Sequence, residues 1–188
     1  MAHSHSHAPA LSDVKALRQR ARRHIEAGAV TEDYRADRET ILRLLNEALA
    51  TEIVCSLRYK RHYYTAKGLA SASIAAEFME HAQEEEAHGD RFAERITQLG
   101  GDPDFSPATL VARSHAEYVE GRNLLEMIKE DLVAERVAIE SYREVVRYIG
   151  EKDPTTRRLF EEVLAVEEQH ANELLDLTQQ LGSQPGAN

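Results

Sequence analysis

The chain has 188 residues, enough for one domain with a substantial core, and its 33 acidic and 23 basic side chains give a formal net charge of −10. This charge excludes a protein that coats nucleic acid with its whole surface, and no apolar run approaches the ~20 residues of a membrane-spanning helix. The single cysteine, Cys55, excludes an internal disulfide and a CxxC motif and suits a reducing cytosol. We therefore expect a soluble cytoplasmic protein.

Proline is absent between residues 10 and 102, and apolar residues recur there and beyond at spacings of three and four, which is typical of amphipathic helices. Asp153 is the expected N-cap of the last helix, with Pro154 as its first residue. A short basic helix and four long helices are predicted, in chain order, over residues 12–27, 37–66, 73–99, 116–149 and 153–182. We expect an N-terminal extension over residues 1–34, a helical domain over 35–182 and a disordered tail over 183–188.

The connections decide how the four long helices associate. The turns near residues 67–68 and 150–152 are short enough to require antiparallel neighbours, whereas residues 100–115 could span ~50 Å when extended. The sequence therefore predicts an all-α fold, a four-helix bundle of two antiparallel hairpins joined by a long crossover.

Each long helix carries a glutamate where its apolar stripe would otherwise continue. The first and third long helices contribute one glutamate each, and the second and fourth each contribute a Glu-x-x-His motif. Residues three apart share a helix face, so each motif offers a carboxylate oxygen and an imidazole nitrogen to one point. The six residues are Glu52, Glu85, His88, Glu135, Glu167 and His170.

The turns bring these glutamates to one level of the bundle. The midpoint of Glu52 and Glu85 falls at residues 68–69, and the midpoint of Glu135 and Glu167 falls at Glu151. Four buried carboxylates would raise one another's pKa or unfold the bundle, because each isolated buried charge costs several kcal/mol. Two divalent cations would neutralise them, so we predict a dinuclear metal site.

The second long helix alone leaves the register of its motif open. Glu84 lies four residues before the histidine and Glu86 lies two before it. In the fourth helix Val166 occupies the position equivalent to Glu84, so the similarity of the two motifs selects Glu85.

These motifs resemble the ferritin-like superfamily, and within it the bacterioferritin group and its Dps-like relatives. The resemblance covers residues 37–181 and is carried by Leu45-Asn-Glu-Ala-Leu-Ala-Thr-Glu52, Glu85-Glu-Ala-His88, Asp131-Leu-Val-Ala-Glu135 and Glu167-Glu-Gln-His170. It implies that the six residues bind two Fe per subunit, for which Mn or Zn can substitute, with Glu85 and Glu167 as bridges. It also implies that Tyr59 lies beside this ferroxidase centre.

The function that the resemblance implies is iron storage and detoxification. Fe(II) would be oxidised by hydrogen peroxide or dioxygen and mineralised inside a homo-oligomeric cage, which protects against oxidative stress. One rival is a rubrerythrin-like peroxidase or di-manganese catalase, with the same ligands and no metal storage. The non-enzymatic rival is a Dps-like DNA-protecting protein.

Two departures from the bacterioferritin pattern change the expectations. Bacterioferritins have a haem-binding methionine directly after the bridging glutamate of the second helix, where this chain has Glu86, so we expect no haem. They also continue into a fifth helix, whereas this sequence ends shortly after the fourth. Because Dps-like cages close from twelve subunits without that helix, we expect a dodecamer in preference to a 24-mer.

Several other residues have two open interpretations. Asp131 could accept a hydrogen bond from a ligand histidine or make an ordinary buried polar contact. His81 could be a third histidine near the site or a core residue, and Tyr142 could line the site or fill the core. Glu80 and Glu84 could guide iron or belong to a solvated face. The basic segment of residues 12–27 could bind DNA or pack on a neighbouring subunit, and we favour packing.

Overall fold

The computed structural model describes residues 11–66 and 71–182. Every regular element in these ranges is helical, as predicted. The α-helices are α1 (Val14–Arg20), α2 (Arg38–Thr65), α3 (Ser71–Gln98), α4 (Leu110–Arg113), α5 (Leu124–Ile149) and α6 (Pro154–Gly182), and a 3₁₀ turn spans Ile25–Ala27. The predicted turn at 67–68 and the predicted tail at 183–188 lie outside the described residues. None of the helices described combines the length and apolar character needed to cross a membrane.

The four long helices form the predicted bundle of two hairpins. Helix α2 packs against α3 and α5 packs against α6, and the two pairs meet through α2–α5 and α3–α6 contacts. The chain divides into two compact units, Met1–Tyr34 and Arg35–Asn188, and the bundle lies in the second. Each long helix thus buries one stripe in a common core.

Two apolar layers border the middle of the bundle. One layer takes a buried residue from each long helix, Tyr59, Phe78, Ile128 and Leu174. The other layer is aromatic, with ring centroids 4.9 to 5.9 Å apart, and consists of Phe92, Tyr142 and Phe160. The Glu-x-x-His motifs of α3 and α6 lie between these layers in sequence, so the layers shield them from water.

The start of α6 confirms the expected cap. Pro154 is the first helical residue, and the Asp153 carboxylate accepts a hydrogen bond from the backbone N–H of Thr156 at 2.9 Å. The carboxylate also forms an ion pair with the buried Arg95 of α3 at 3.0 Å. One side chain therefore caps α6 and ties it to α3.

The predicted start of the third long helix at Ala116 is wrong, because α5 begins at Leu124. Gly121 has a positive φ of 64°, a conformation outside the right-handed helix that a glycine adopts without strain. The Asn123 side chain then caps α5 by accepting a hydrogen bond from the N–H of Glu126 at 3.0 Å.

Contacts with α2 also hold the segment before α5 out of a helix. The carbonyl of Glu117 accepts a hydrogen bond from Arg58 at 2.8 Å, and the carbonyl of Glu120 accepts one from His62 at 2.9 Å. These two carbonyls accept hydrogen bonds from buried side chains of another helix, and so they do not accept the backbone N–H groups that a helix over this segment would offer. The apolar periodicity of the segment cannot predict these hydrogen bonds, because their donors lie 58 and 59 residues away in the sequence.

The predicted helix over residues 12–27 is shorter and interrupted. Helix α1 begins after Asp13, whose carboxylate accepts a hydrogen bond from the N–H of Lys15 at 3.0 Å, and it ends at Arg20. His24 has a left-handed conformation with a φ of 52°, which separates α1 from the 3₁₀ turn. The choice between DNA and a neighbouring subunit as the partner of this segment stays a prediction.

Candidate metal centre

The six residues singled out from the sequence meet in the middle of the bundle. None is more than 5% exposed, although four are carboxylic acids and two are histidines. Helix α2 contributes one, α5 one, and α3 and α6 two each. The residues are Glu52, Glu85, His88, Glu135, Glu167 and His170.

The six side chains form two overlapping groups of possible ligands. Within each group, one nitrogen or oxygen atom of every member lies within 4.8 Å of the others. The first group is Glu52, Glu85, His88 and Glu167. The second group is Glu85, Glu135, Glu167 and His170. Two carboxylates, those of Glu85 and Glu167, belong to both groups, so they lie between two adjacent positions for a cation.

Both histidines turn Nδ1 toward the carboxylates. His88 Nδ1 lies 3.2 Å from an oxygen of Glu52 and 3.0 Å from Glu167 Oε1. His170 Nδ1 lies 3.3 Å from Glu85 Oε1 and 3.5 Å from Glu167 Oε2. Both imidazoles therefore face the shared carboxylate of Glu167, and His170 also faces that of Glu85.

Several atoms of this centre lack a hydrogen-bond partner of good geometry among the described residues. They are Glu85 Oε1, both carboxylate oxygens of Glu167, and His170 Nδ1. Buried polar atoms without partners are rare, and each costs free energy. A donor set of four carboxylates and two imidazoles suits divalent iron, manganese or zinc. The unpartnered atoms belong to this donor set, so the residues present fit a pair of such ions.

In the metal-free protein, protons bound to Glu85 and to the two histidines compensate the negative charge of the four carboxylates. Burial and the charge of Glu52 raise the pKa of Glu85 to about 8. Burial lowers the pKa of each histidine, but neighbouring carboxylates outweigh it and raise the pKa to about 10 for His88 and about 12 for His170. Cations entering the centre would therefore displace protons.

Two buried tyrosines hold the outer carboxylates in a reciprocal arrangement. Tyr59 of α2 donates a hydrogen bond to Glu135 of α5, and Tyr142 of α5 donates one to Glu52 of α2. Burial and these carboxylates raise the pKa of both phenols well above its usual value, so both remain donors. Each tyrosine follows the glutamate of its own helix by seven residues. Of the two interpretations left open for Tyr142, the structure therefore shows the first, since this residue lines the site.

Of the two interpretations left open for Asp131, the structure shows the buried polar contact, and another acidic residue, Glu84, contacts the candidate ligand His170. Glu84 lies 2.6 Å from Nε2 of His170, the nitrogen that faces away from the shared carboxylates. Asp131 instead contacts Arg58 at 2.7 Å and His62 at 2.8 Å. It therefore makes a buried polar contact, because the antiparallel packing of α2 and α5 places it opposite these residues.

His81 lies next to the centre. Its ring stacks on that of His170 with a centroid separation of 4.0 Å, and its Nδ1 lies 3.3 Å from the Tyr59 hydroxyl. Glu80, one residue earlier, is exposed. Of the residues left open by the sequence, His81, Glu84 and Tyr142 border the centre.

Residues 42–183 match the ferritin-like domain family. The bacterioferritin of Desulfovibrio desulfuricans is 29% identical over 138 residues, which are 72% of this chain and 73% of that protein. The resemblance that the motifs carry is thereby confirmed.

Solved structures agree with this match. The bacterioferritin-related protein from Bacteroides fragilis, described as a dodecameric thioferritin, has a TM-score of 0.76 at 28% identity, over 79% of this chain and 89% of that one. The Desulfovibrio desulfuricans bacterioferritin, described by its diiron site, has a TM-score of 0.69 at 25% identity, over 77% and 81%.

Proposed function

Because this chain belongs to the ferritin-like domain family, we propose that it stores iron and oxidises Fe(II) at the centre described above. The ligands in this proposal are Glu52, Glu85, His88, Glu135, Glu167 and His170, with Glu85 and Glu167 as the bridges. The observation that carries it is the sharing of two buried carboxylates by two adjacent groups of ligands. Unpartnered oxygens on both shared carboxylates support the same assignment.

In this reaction Fe(II) is the substrate, and each bound pair supplies two electrons. With hydrogen peroxide, two electrons and two protons break the O–O bond and yield two waters and two Fe(III). With dioxygen, the same electrons and protons yield hydrogen peroxide. Glutamate oxygens suit the hard ferric product and the imidazoles suit the ferrous substrate.

The surrounding side chains prepare the centre for this substrate. Protons displaced from Glu85 and the two histidines supply part of the acid that peroxide reduction consumes. Tyr59 and Tyr142 hold Glu135 and Glu52 in place by hydrogen bonds across the α2–α5 interface. Fixed outer carboxylates keep the two metal positions preformed.

Iron loading tests the proposal against its enzymatic rivals. Added Fe(II) should give a fast phase that consumes two Fe(II) per chain, followed by slower uptake, and the iron should elute with the protein on gel filtration. A di-manganese catalase or a rubrerythrin-like peroxidase would consume peroxide without retaining iron. Protein that turns over peroxide and elutes with no excess iron would contradict storage.

The purified protein should contain no b-type haem. Glu86 occupies the position of the bacterioferritin methionine, and its carboxylate forms an ion pair with Lys60 across α2 and α3. A hard, anionic, paired carboxylate is a poor substitute for a thioether ligand. The absorption spectrum should lack a Soret band, and a band of stoichiometric intensity would refute this prediction.

The subunits should assemble into a dodecamer of about 250 kDa, twelve times the 21.2 kDa chain, and not a 24-mer of about 510 kDa. The support is the Bacteroides fragilis structure, which is described as dodecameric and has a TM-score of 0.76. Light scattering coupled to gel filtration measures the mass. A mass near the larger value, or a stable dimer, would show the prediction to be wrong.

A further inference from the structure

A second cluster of possible metal ligands lies beside the dinuclear centre and is not part of it. Glu77 and His81 are four residues apart on one face of α3, and Glu173 comes from α6. His81 is only 1% exposed, whereas the side chains of Glu77 and Glu173 are 34% and 36% exposed. One donor atom from each of the three residues lies within 4.8 Å of the others.

The histidine nitrogen that faces this cluster is Nε2. It lies 3.0 Å from Glu173 Oε2 and 4.0 Å from Glu77 Oε1. Metal bonds of about 2.1 Å place neighbouring donor atoms about 3.0 to 3.4 Å apart. The nitrogen and the Glu173 oxygen already have this separation. The Glu77 oxygen needs a shift of about 1 Å, which a partly exposed side chain accommodates by a small rotation.

The hydrogen bonds around His81 leave the same nitrogen facing the two carboxylates. The Tyr59 hydroxyl has one hydrogen, which it donates to Glu135, so toward His81 its oxygen can only accept. His81 Nδ1, 3.3 Å away, is the matching donor. Nε2 lies within hydrogen-bond distance of Glu173 Oε2, at 3.0 Å. It can donate a proton to that oxygen or, when a cation displaces the proton, bind the cation through its lone pair.

We propose that Glu77, His81 and Glu173 bind a third divalent ion of the first transition series, separate from the dinuclear pair. One imidazole and two carboxylates suit Fe(II), Mn(II) or Zn(II), and the exposed side of the cluster leaves room for water to complete the coordination. Because the His81 ring stacks on that of His170, this ion would lie next to the dinuclear centre. The proposal goes beyond ferroxidase activity and does not depend on it.

The charge around Glu77 is consistent with a cation here. Partial burial and the nearby charges of Glu173 and Glu80 raise the pKa of the Glu77 carboxyl above its usual value. A bound divalent ion would relieve this repulsion directly.

Zinc is a suitable probe, since it binds the same donors and does not undergo oxidation. Crystals of the full chain soaked in Zn²⁺ should give three anomalous peaks per chain, one of them at His81 Nε2. The variant with Glu77→Gln and Glu173→Gln should lose that peak alone, and the zinc content should fall from three to two per chain. The matched control is Asp176→Asn, an exposed acidic residue one turn further along α6, which should retain three.

The outcomes separate this proposal from the ferroxidase assignment. Two peaks at the dinuclear centre and none at His81 overturn the third site and leave the ferroxidase proposal standing. A peak at His81 with an empty dinuclear centre supports the third site and contradicts the ferroxidase ligands. A peak at His81 that persists in the double variant also overturns the assignment of the two glutamates as ligands. The wild-type map decides the matter even if the double variant does not fold.

Discussion

Replacement of Glu85 with alanine is expected to lower the initial rate of Fe(II) oxidation by at least about 100-fold, since even residues that only support a metal ligand contribute roughly 10 to 100-fold. Glu85 belongs to both ligand groups, so its loss affects both metal positions. The helical content should remain, because Glu85 is itself a source of repulsion in the metal-free centre. Stopped-flow absorbance of Fe(III) measures the rate, and circular dichroism measures the helix content.

A matched control for this variant is Glu94→Ala, which removes an exposed glutamate from the same helix. The control should oxidise iron at the wild-type rate. If Glu85→Ala also oxidises Fe(II) at that rate, Glu85 is not a bridging ligand and the assignment of the centre is wrong. A loss of activity in both variants would point to damage to α3 as a whole.

Replacement of Asp131 with alanine is expected to lower the free energy of unfolding by about 3 to 5 kcal/mol, the range for removal of one partner from a buried ion pair. The Asp131 carboxylate lies 2.7 Å from Arg58 Nε and 2.8 Å from His62 Nδ1, and all three side chains are fully buried. Without the carboxylate, the Arg58 guanidinium stays buried with its charge uncompensated. Urea denaturation of the metal-free protein measures the change.

The control for this second variant is Glu140→Ala, an exposed position on the same helix. Its effect should stay within about 0.5 kcal/mol, as is usual for surface substitutions. A loss of less than about 1 kcal/mol in Asp131→Ala would mean that the Arg58 contact contributes little net stability, as exposed ion pairs do. Hydrogen exchange should also increase in residues 114–123, which Arg58 and His62 hold through carbonyl contacts.

Local periodicity and spacing were sufficient to predict the centre. Along the sequence, Glu52 and Glu85 lie almost equally far from the predicted turn at residues 67–68, as do Glu135 and Glu167 from the turn between α5 and α6. An antiparallel hairpin brings such residues to one level regardless of the details of packing. A glutamate inside an apolar stripe is buried with that stripe, so the candidate ligands could be identified before the fold was known.

The partners around those ligands could not be predicted in this way. From its sequence position Asp131 could have supported a ligand histidine, but it contacts Arg58 and His62, neither of which is among the six candidate ligands. The residue that contacts a candidate ligand histidine is Glu84, at His170. The difference depends on the rotation and register of α6 against α3 and of α5 against α2. These helices are distant in the sequence, and many side chains along their whole length set their packing jointly.

The sequence by itself thus determined the four long helices, their pairing into two hairpins and the six residues that meet in the core, because each follows from periodicity within a segment or distance from a turn. Only the tertiary structure decided that α5 starts at Leu124, that Asp131 neutralises Arg58, and that His81 joins Glu77 and Glu173. The physical reason is the same in all three cases. A buried polar group must find a partner, and that partner comes from whichever distant helix packing brings within hydrogen-bond distance.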